Sequence, residues 1–164
     1  MKMQTLNDLM VDVARDMLDA EKQLAKALPK MAKAASHPEL RKAFEKHLEE
    51  TKIHVERMVQ VLEALGHAAR GKKCKAMEGL IEEGKEVLEM EAAPETKDAA
   101  LIAAAQKVEH YEIAGYGTLS TWANTLGVPE VKKLLGDTLA EEKTTDDLLT
   151  EIAETVVNAE AAAG

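Results

Sequence analysis

A chain of 164 residues is long enough for one domain with a sizeable core, and its composition is dominated by Ala, Leu, Glu and Lys, with aromatics at 2% and four prolines. That profile suits helices and leaves little from which to build sheets, so an all-α fold is expected. The net charge of −9 disfavours partners bound through phosphate neutralisation, which sets aside nucleic acid and anionic membranes.

The amino terminus, "MKMQTLNDLMVDVARD", carries acids every few residues and no uninterrupted apolar run, so neither a signal peptide nor a membrane span is expected. The first helix is predicted over about 5–35, with Leu6, Met10, Val13, Met17, Leu24, Leu28 and Met31 on its apolar stripe and Pro29 interrupting a hydrogen bond or kinking it. A second helix is predicted over about 38–65, starting at Pro38 and ending before Gly66. Within it, "FEKHLEETKIHVERM" places Phe44, Leu48, Thr51, Val55 and Met58 on a buried face, and His47, Glu50 and His54 one residue out of step along its flank. Such a flank reads either as a solvated polar edge or as part of a metal site facing the middle of a bundle.

The basic run "RGKKCK" at 70–75 reads as a solvated loop. Its Cys74 stands alone, which excludes an intramolecular disulfide, fits a reducing cytoplasm, and could have a lowered pKa beside lysines. A shorter amphipathic helix follows over about 75–90. Its Met77, Leu80, Ile81, Val87 and Leu88 form a candidate contact patch for a second copy, and Glu82, Glu83, Glu86 and Glu89 form a solvated face. The last two long helices are predicted over about 96–126 and 130–158, the latter running into an alanine tail expected to fray. Met3, Met10, Met17, Met31, Met58, Met77 and Met90 read as core filler, and Tyr111 and Tyr116 as packing residues.

Tight turns at "ASHPE" and "GVPE" pair helix one with two and helix four with five, both antiparallel. About 29 residues lie between the pairs, and at about 1.5 Å per residue their short helix can travel most of the length of a bundle. Two helical hairpins joined by a long crossover make a ferritin-like four-helix bundle spanning residues 1–164 as a single domain.

The hairpins look like weak copies of each other. "HPELRKAFEKHLEET" overlays "VPEVKKLLGDTLAEE", and Glu21 falls opposite Glu112. Glu21, Glu112 and Glu142 each occupy a step where an apolar residue is due, and with Glu50 they give one carboxylate per long helix. Four buried carboxylates are costly unless cations compensate, and two divalent ions carry the matching charge. Carboxylate-bridged centres commonly add a second donor one turn on, and here "EETKIH" offers His54 after Glu50 while "EEKTTD" offers Asp146 after Glu142. The proline-anchored overlay would make Glu141 the partner of Glu50; Glu142 is preferred because it keeps Asp146 as its companion. Glu109, His110, Glu141 and His47 are weaker candidates for the metal shell; Glu109 and His110 read equally as orienting groups or a surface pair, and His47 first as a hydrogen-bonded residue at the bundle edge.

"DAEKQLAKALPKMAKA", "HLEET", "KKCKAMEGLIEEGKEVLE", "DAALIAAAQKVEHYEIAGYGTL" and "EEKTTD" closely resemble the YciE/YciF family of bacterial stress proteins over nearly the whole chain. The resemblance implies a rubrerythrin-type bundle, commonly a homodimer, with a di-metal site whose matching acids here are Glu21, Glu50, Glu112, Glu142 and Asp146. His54 departs from the glutamine expected at that position in several relatives. Two functions follow as expectations. One is a cytoplasmic protein holding two Fe ions, or Mn, in which Glu50 and Glu142 bridge, Glu21 and Glu112 cap, His54 and Asp146 complete the shells, and oxygen or peroxide is the substrate. The other is a metal-free dimeric bundle with a binding or structural role.

Overall fold

The computed structural model describes residues 3–164, and among them it contains helices and no strands. The chain runs α1 (Leu6–Ala34), α2 (Pro38–Ala64), α3 (Lys75–Glu89), α4 (Pro94–Thr125) and α5 (Pro129–Ile152), then a π-helical turn (Ala153–Val157) and α6 (Asn158–Ala163). Local chemistry sets these boundaries. Thr5 and Asp8 close a capping box at α1, and prolines sit at the start of α2, α4 and α5, where a missing N–H costs nothing. Gly66 (φ 78°) and Gly127 (φ 69°) take the left-handed conformation just beyond α2 and α4, which releases the chain into a turn. Pro29 is accommodated inside α1 without ending it. The carboxy-terminal tail differs from expectation: the π-turn is absorbed and the alanines continue as α6, with Val157 anchored in the core.

Helix α1 packs on α2 and α4 on α5, with α2 facing α5 and α1 facing α4, which is the ferritin-like bundle of two hairpins. The crossover helix α3 lies over α1 and α4. It is tied in at Cys74, whose N–H donates to Asp19 Oδ2 at 2.8 Å, and at the α1–α2 turn Asp98 of α4 accepts from the N–H groups of Ser36 (2.8 Å) and His37 (2.7 Å). Leu80, Ile81, Val87 and Leu88 pack against the core and remain only partly buried there. Met10, Met17, Met31, Met58 and Met77 are core residues as expected, whereas Met3 (46% exposed) and Met90 (40%) are not.

The apolar core divides in two. One cluster centres on Leu24, Leu28, Phe44, Leu101 and Leu149; the other on Met10, Leu18, Met58, Leu62, Leu119 and Leu135. Between these residues along every long helix lie the buried polar groups: Glu21 on α1, His47, Thr51 and His54 on α2, Glu109 and Glu112 on α4, and Thr138, Glu142 and Thr145 on α5.

Candidate metal centre

The periodicity of each helix carries these groups inward. On α2 the buried positions include Leu40, Phe44, His47, Thr51, His54 and Met58, so the histidines belong to the buried stripe and Glu50 is its flank. This corrects the reading of His47 as a residue of the bundle edge. Helix α2 is covered by both α1 and α5, and a helix with two neighbours buries a wider sector than one apolar stripe. On α5 the inward positions are Leu135, Thr138, Glu142, Thr145 and Leu149, which selects Thr145 over Asp146.

Two donor sets result. Glu21, His54 and Glu142 form one; His47, Glu109, Glu112 and Glu142 form the other, and in each set the ligand atoms lie within 4.8 Å of one another. Glu142 belongs to both. Its Oε1 is 2.9 Å from His54 Nδ1, its Oε2 is 3.9 Å from His47 Nε2, and Glu21 Oε1 is 3.5 Å from His54 Nδ1. His47 Nε2 lies 2.8 Å from Glu109 Oε1. On the outer side His54 Nε2 meets Glu141 Oε2 at 2.7 Å, and Arg57 grips both oxygens of Glu141 at 2.7 and 3.0 Å. Tyr116 donates from its hydroxyl to Glu21 Oε1.

Many of the inward atoms make no aligned hydrogen bond: Glu21 Oε2, Glu109 Oε2, both oxygens of Glu112 and both of Glu142, whose Oε1 has only the close ionic contact with His54 Nδ1 at 2.9 Å. Buried polar atoms are normally satisfied, so a cluster of orphaned carboxylate oxygens beside imidazole nitrogens is the donor chemistry that a hard or borderline divalent cation satisfies. The electrostatics without such a cation point the same way. Burial, reinforced by the neighbouring carboxylates, pushes Glu112 well above the usual carboxylate range; burial also pushes Glu109 well above it against the pull of His47, and raises Glu21 against the pull of His54. Burial opposes protonation of His54, but Glu142 and Glu21 outweigh it and push the ring up to about 10. His47 is likewise raised, by Glu109 and Glu50 against burial. Glu142 alone among the buried acids is held low: burial pushes it up, and the two histidines together with Glu109 pull it further down.

Of the residues expected from sequence, the structure brings together Glu21, His54, Glu112 and Glu142, and with them two of the weaker candidates, His47 and Glu109. Glu50 lies at the rim, 20% exposed in its side chain, paired with Lys46 at 3.3 Å and accepting from Thr145 Oγ1 at 3.4 Å. Asp146 also points outward, to Gln106 and to His110 at 3.1 Å, and His110 is 70% exposed. Glu141 buttresses His54 from outside the cluster. The signal that ranks His47 and Glu109 above the other weaker candidates is spacing: His47 is one helical turn before Thr51 and two before His54, and Glu109 one turn before Glu112. Cys74 is a further correction. It is buried, its Sγ accepts from Met77 N–H at 3.4 Å and lies 3.0 Å from Tyr111 Oη, and burial pushes its thiol up rather than down.

Comparison with known proteins agrees with this architecture. Residues 5–162 match the family described as Domain of unknown function (DUF892). Protein YciF of Escherichia coli (strain K12) is 52% identical over 162 residues, covering 98% of each chain. The crystal structure of the E. coli stress protein YciF superposes with a TM-score of 0.91, covering 95% of this chain and 99% of that one. YcfI from Rhodopseudomonas palustris, 44% identical, gives 0.86 over 90% and 94% of the two chains. A protein from Xanthomonas campestris pv. campestris, 25% identical, gives 0.73 over 94% and 95%. The chain therefore belongs to the DUF892 family of YciF and is a homologue of a bacterial stress protein.

Proposed function

We propose that the buried cluster is a di-metal centre for two divalent ions, iron or manganese, in a stress-response protein that reacts with oxygen or peroxide. The observation that carries the reading is Glu142, a fully buried carboxylate neither of whose oxygens makes an aligned hydrogen bond, shared by both donor sets. Glu21 and His54 would hold one ion, His47, Glu109 and Glu112 the other, with Glu142 between them. Bound there, the ions would supply redox chemistry and open coordination positions.

The chain's own residues do the rest. Arg57 and Glu141 fix the outer nitrogen of His54, so that Nδ1 faces inward, and Tyr116 fixes one oxygen of Glu21 while leaving Oε2 free. The leucine- and methionine-lined clusters on either side keep water away. Metal uptake requires the protons on His54, His47, Glu109 and Glu112 to leave, so it releases acid into the medium. Anaerobic titration with ferrous iron followed by metal analysis is the test. About two ions per chain are expected, and a chain that stays metal-free sinks the proposal.

One observation favours a second reading. The imidazoles already act as counter-charges to the acids, with His54 held protonated up to about 10, so the bundle has an internal substitute for metal. A metal-free bundle with a binding role would give no ion uptake and an unchanged melting temperature with iron. A cytoplasmic homodimer is the assembly included in the main proposal; light scattering that gave one species near the chain mass of 17.8 kDa would overturn it.

A further inference from the structure

Away from the cluster, the crossover helix leaves a groove of about 290 Å³ between itself, α1 and α4. No residue of the two donor sets lines it. Leu80, Ile81 and Leu88 of α3 and Ala104 of α4 give it an apolar lining. Gly84 opens it: the residue is buried in the middle of α3, yet a Cβ added there would meet nothing within 4 Å. A glycine inside a helix weakens it relative to alanine, so the space above Gly84 is kept at a cost to α3.

The rim is charged unevenly. On the α3 side the acids are taken, Glu78 by Lys73 at 2.6 Å and Glu82 by Lys85. On the α1 side Lys26 and Lys30 stand one turn apart, both exposed, and neither forms an ion pair among the described residues. In a chain of net charge −9, two uncompensated cations therefore flank an apolar groove.

We infer that this groove binds a small amphiphile with an anionic head, of the chemical class of a medium-chain fatty acid. The hydrocarbon chain lies along Leu80, Ile81 and Leu88 into the space above Gly84, and the carboxylate sits at Lys26 and Lys30. Apolar area supplies affinity and the lysines supply orientation, the usual division in a small-molecule site. The site is independent of metal, so its test does not depend on the di-metal proposal.

Calorimetric titration of the full chain with decanoate below its micelle-forming concentration should show saturable binding of one molecule per chain. Gly84→Leu fills the groove and adds a better helix former, so the variant should melt no lower than the parent while binding decanoate about tenfold more weakly. Lys26→Gln with Lys30→Gln, at exposed positions that leave the core intact, should remove the preference for decanoate over the uncharged alcohol decanol. Absence of saturable binding, or binding untouched by Gly84→Leu, overturns the site. Equal affinity for decanol and decanoate in the parent chain overturns head-group recognition. If Gly84→Leu instead changes the molecular mass in solution, the groove is a contact between copies and the inference is wrong.

Discussion

The two hairpins share a pattern of burial and differ in chemistry. Overlaying Pro38 on Pro129 pairs Glu21 with Glu112, His47 with Thr138, Glu50 with Glu141, Thr51 with Glu142 and His54 with Thr145. Each pair has matching exposure: Glu50 and Glu141 are both at the rim, with side chains 20% and 32% exposed, and the other pairs are buried. The proline-anchored overlay is thus the structural one, and the shifted overlay that paired Glu50 with Glu142 does not describe the bundle. Position follows the repeat while side-chain identity does not. The first hairpin supplies both imidazoles, and the second supplies the extra acids, Glu109 and Glu142. An approximate twofold of backbones therefore carries an asymmetric donor set, with cationic and anionic partners on opposite hairpins.

The strongest way to break that comparison is at its most unequal pair. Glu142→Gln should leave the inward nitrogen of His54, Nδ1, without its nearest carboxylate, costing about 3 kcal/mol in the metal-free protein, and should abolish uptake of both ions. Denaturant unfolding and metal analysis read the two effects. Thr51→Val at the mated position should do neither; equal damage from both variants would mean that the hairpins contribute alike.

Next in size is the pH dependence of the metal-free protein. His54, His47, Glu21, Glu109 and Glu112 all have folded-state values above their ordinary ones, so each contributes stability that is lost as pH rises. For His54 the window runs from its ordinary 6.5 to about 10, and for the glutamates it opens above 4.5. The melting temperature should therefore fall between pH 5.5 and pH 9, on the order of 5–10 °C. His54→Gln should flatten the alkaline part of that slope, whereas Thr145→Val on the other hairpin should leave it. Below pH 4.5 the sign reverses, because Glu142, Glu141 and Glu50 are held low and their contribution is lost as they protonate. Loading with metal should remove the slope above pH 5.5, since uptake has already displaced the protons.

The rim pair should show a smaller difference. Glu141 grips both His54 and Arg57, whereas Glu50 meets Lys46 and the distant edge of His47, so Glu141→Gln is expected to cost about 1 kcal/mol and Glu50→Gln less than about 0.5 kcal/mol, both softened by solvent. Chemical denaturation measures both. Metal counts sharpen the result: if Glu50→Gln lowers uptake as far as Glu142→Gln, Glu50 swings inward to bridge, as the sequence suggested. Least of all, His110→Ala should change neither stability nor metal content, because the ring is 70% exposed and its polar partner is the outward-facing Asp146.

Sequence by itself determined the helices, the hairpin pairing, the crossover and the anomalous acids at Glu21, Glu112 and Glu142, because these follow from local rules: proline and glycine at helix ends, and a period of 3.6 that exposes any carboxylate placed on an apolar stripe. Which neighbouring residue of a helix faces the centre was decided only by tertiary structure. Adjacent positions differ by about 100° around the axis, and a helix packed on two others buries enough of its circumference for both the apolar stripe and its flank to qualify. His47 and Thr145 went inward, and Glu50 and Asp146 outward, because α2 and α5 face each other along that sector. Cys74 shows the same limit at longer range. Its lysine-rich neighbourhood reads as solvent, and only the docking of α3 beside Asp19 and Tyr111 buries the thiol, a contact between residues far apart in the chain that no local pattern encodes.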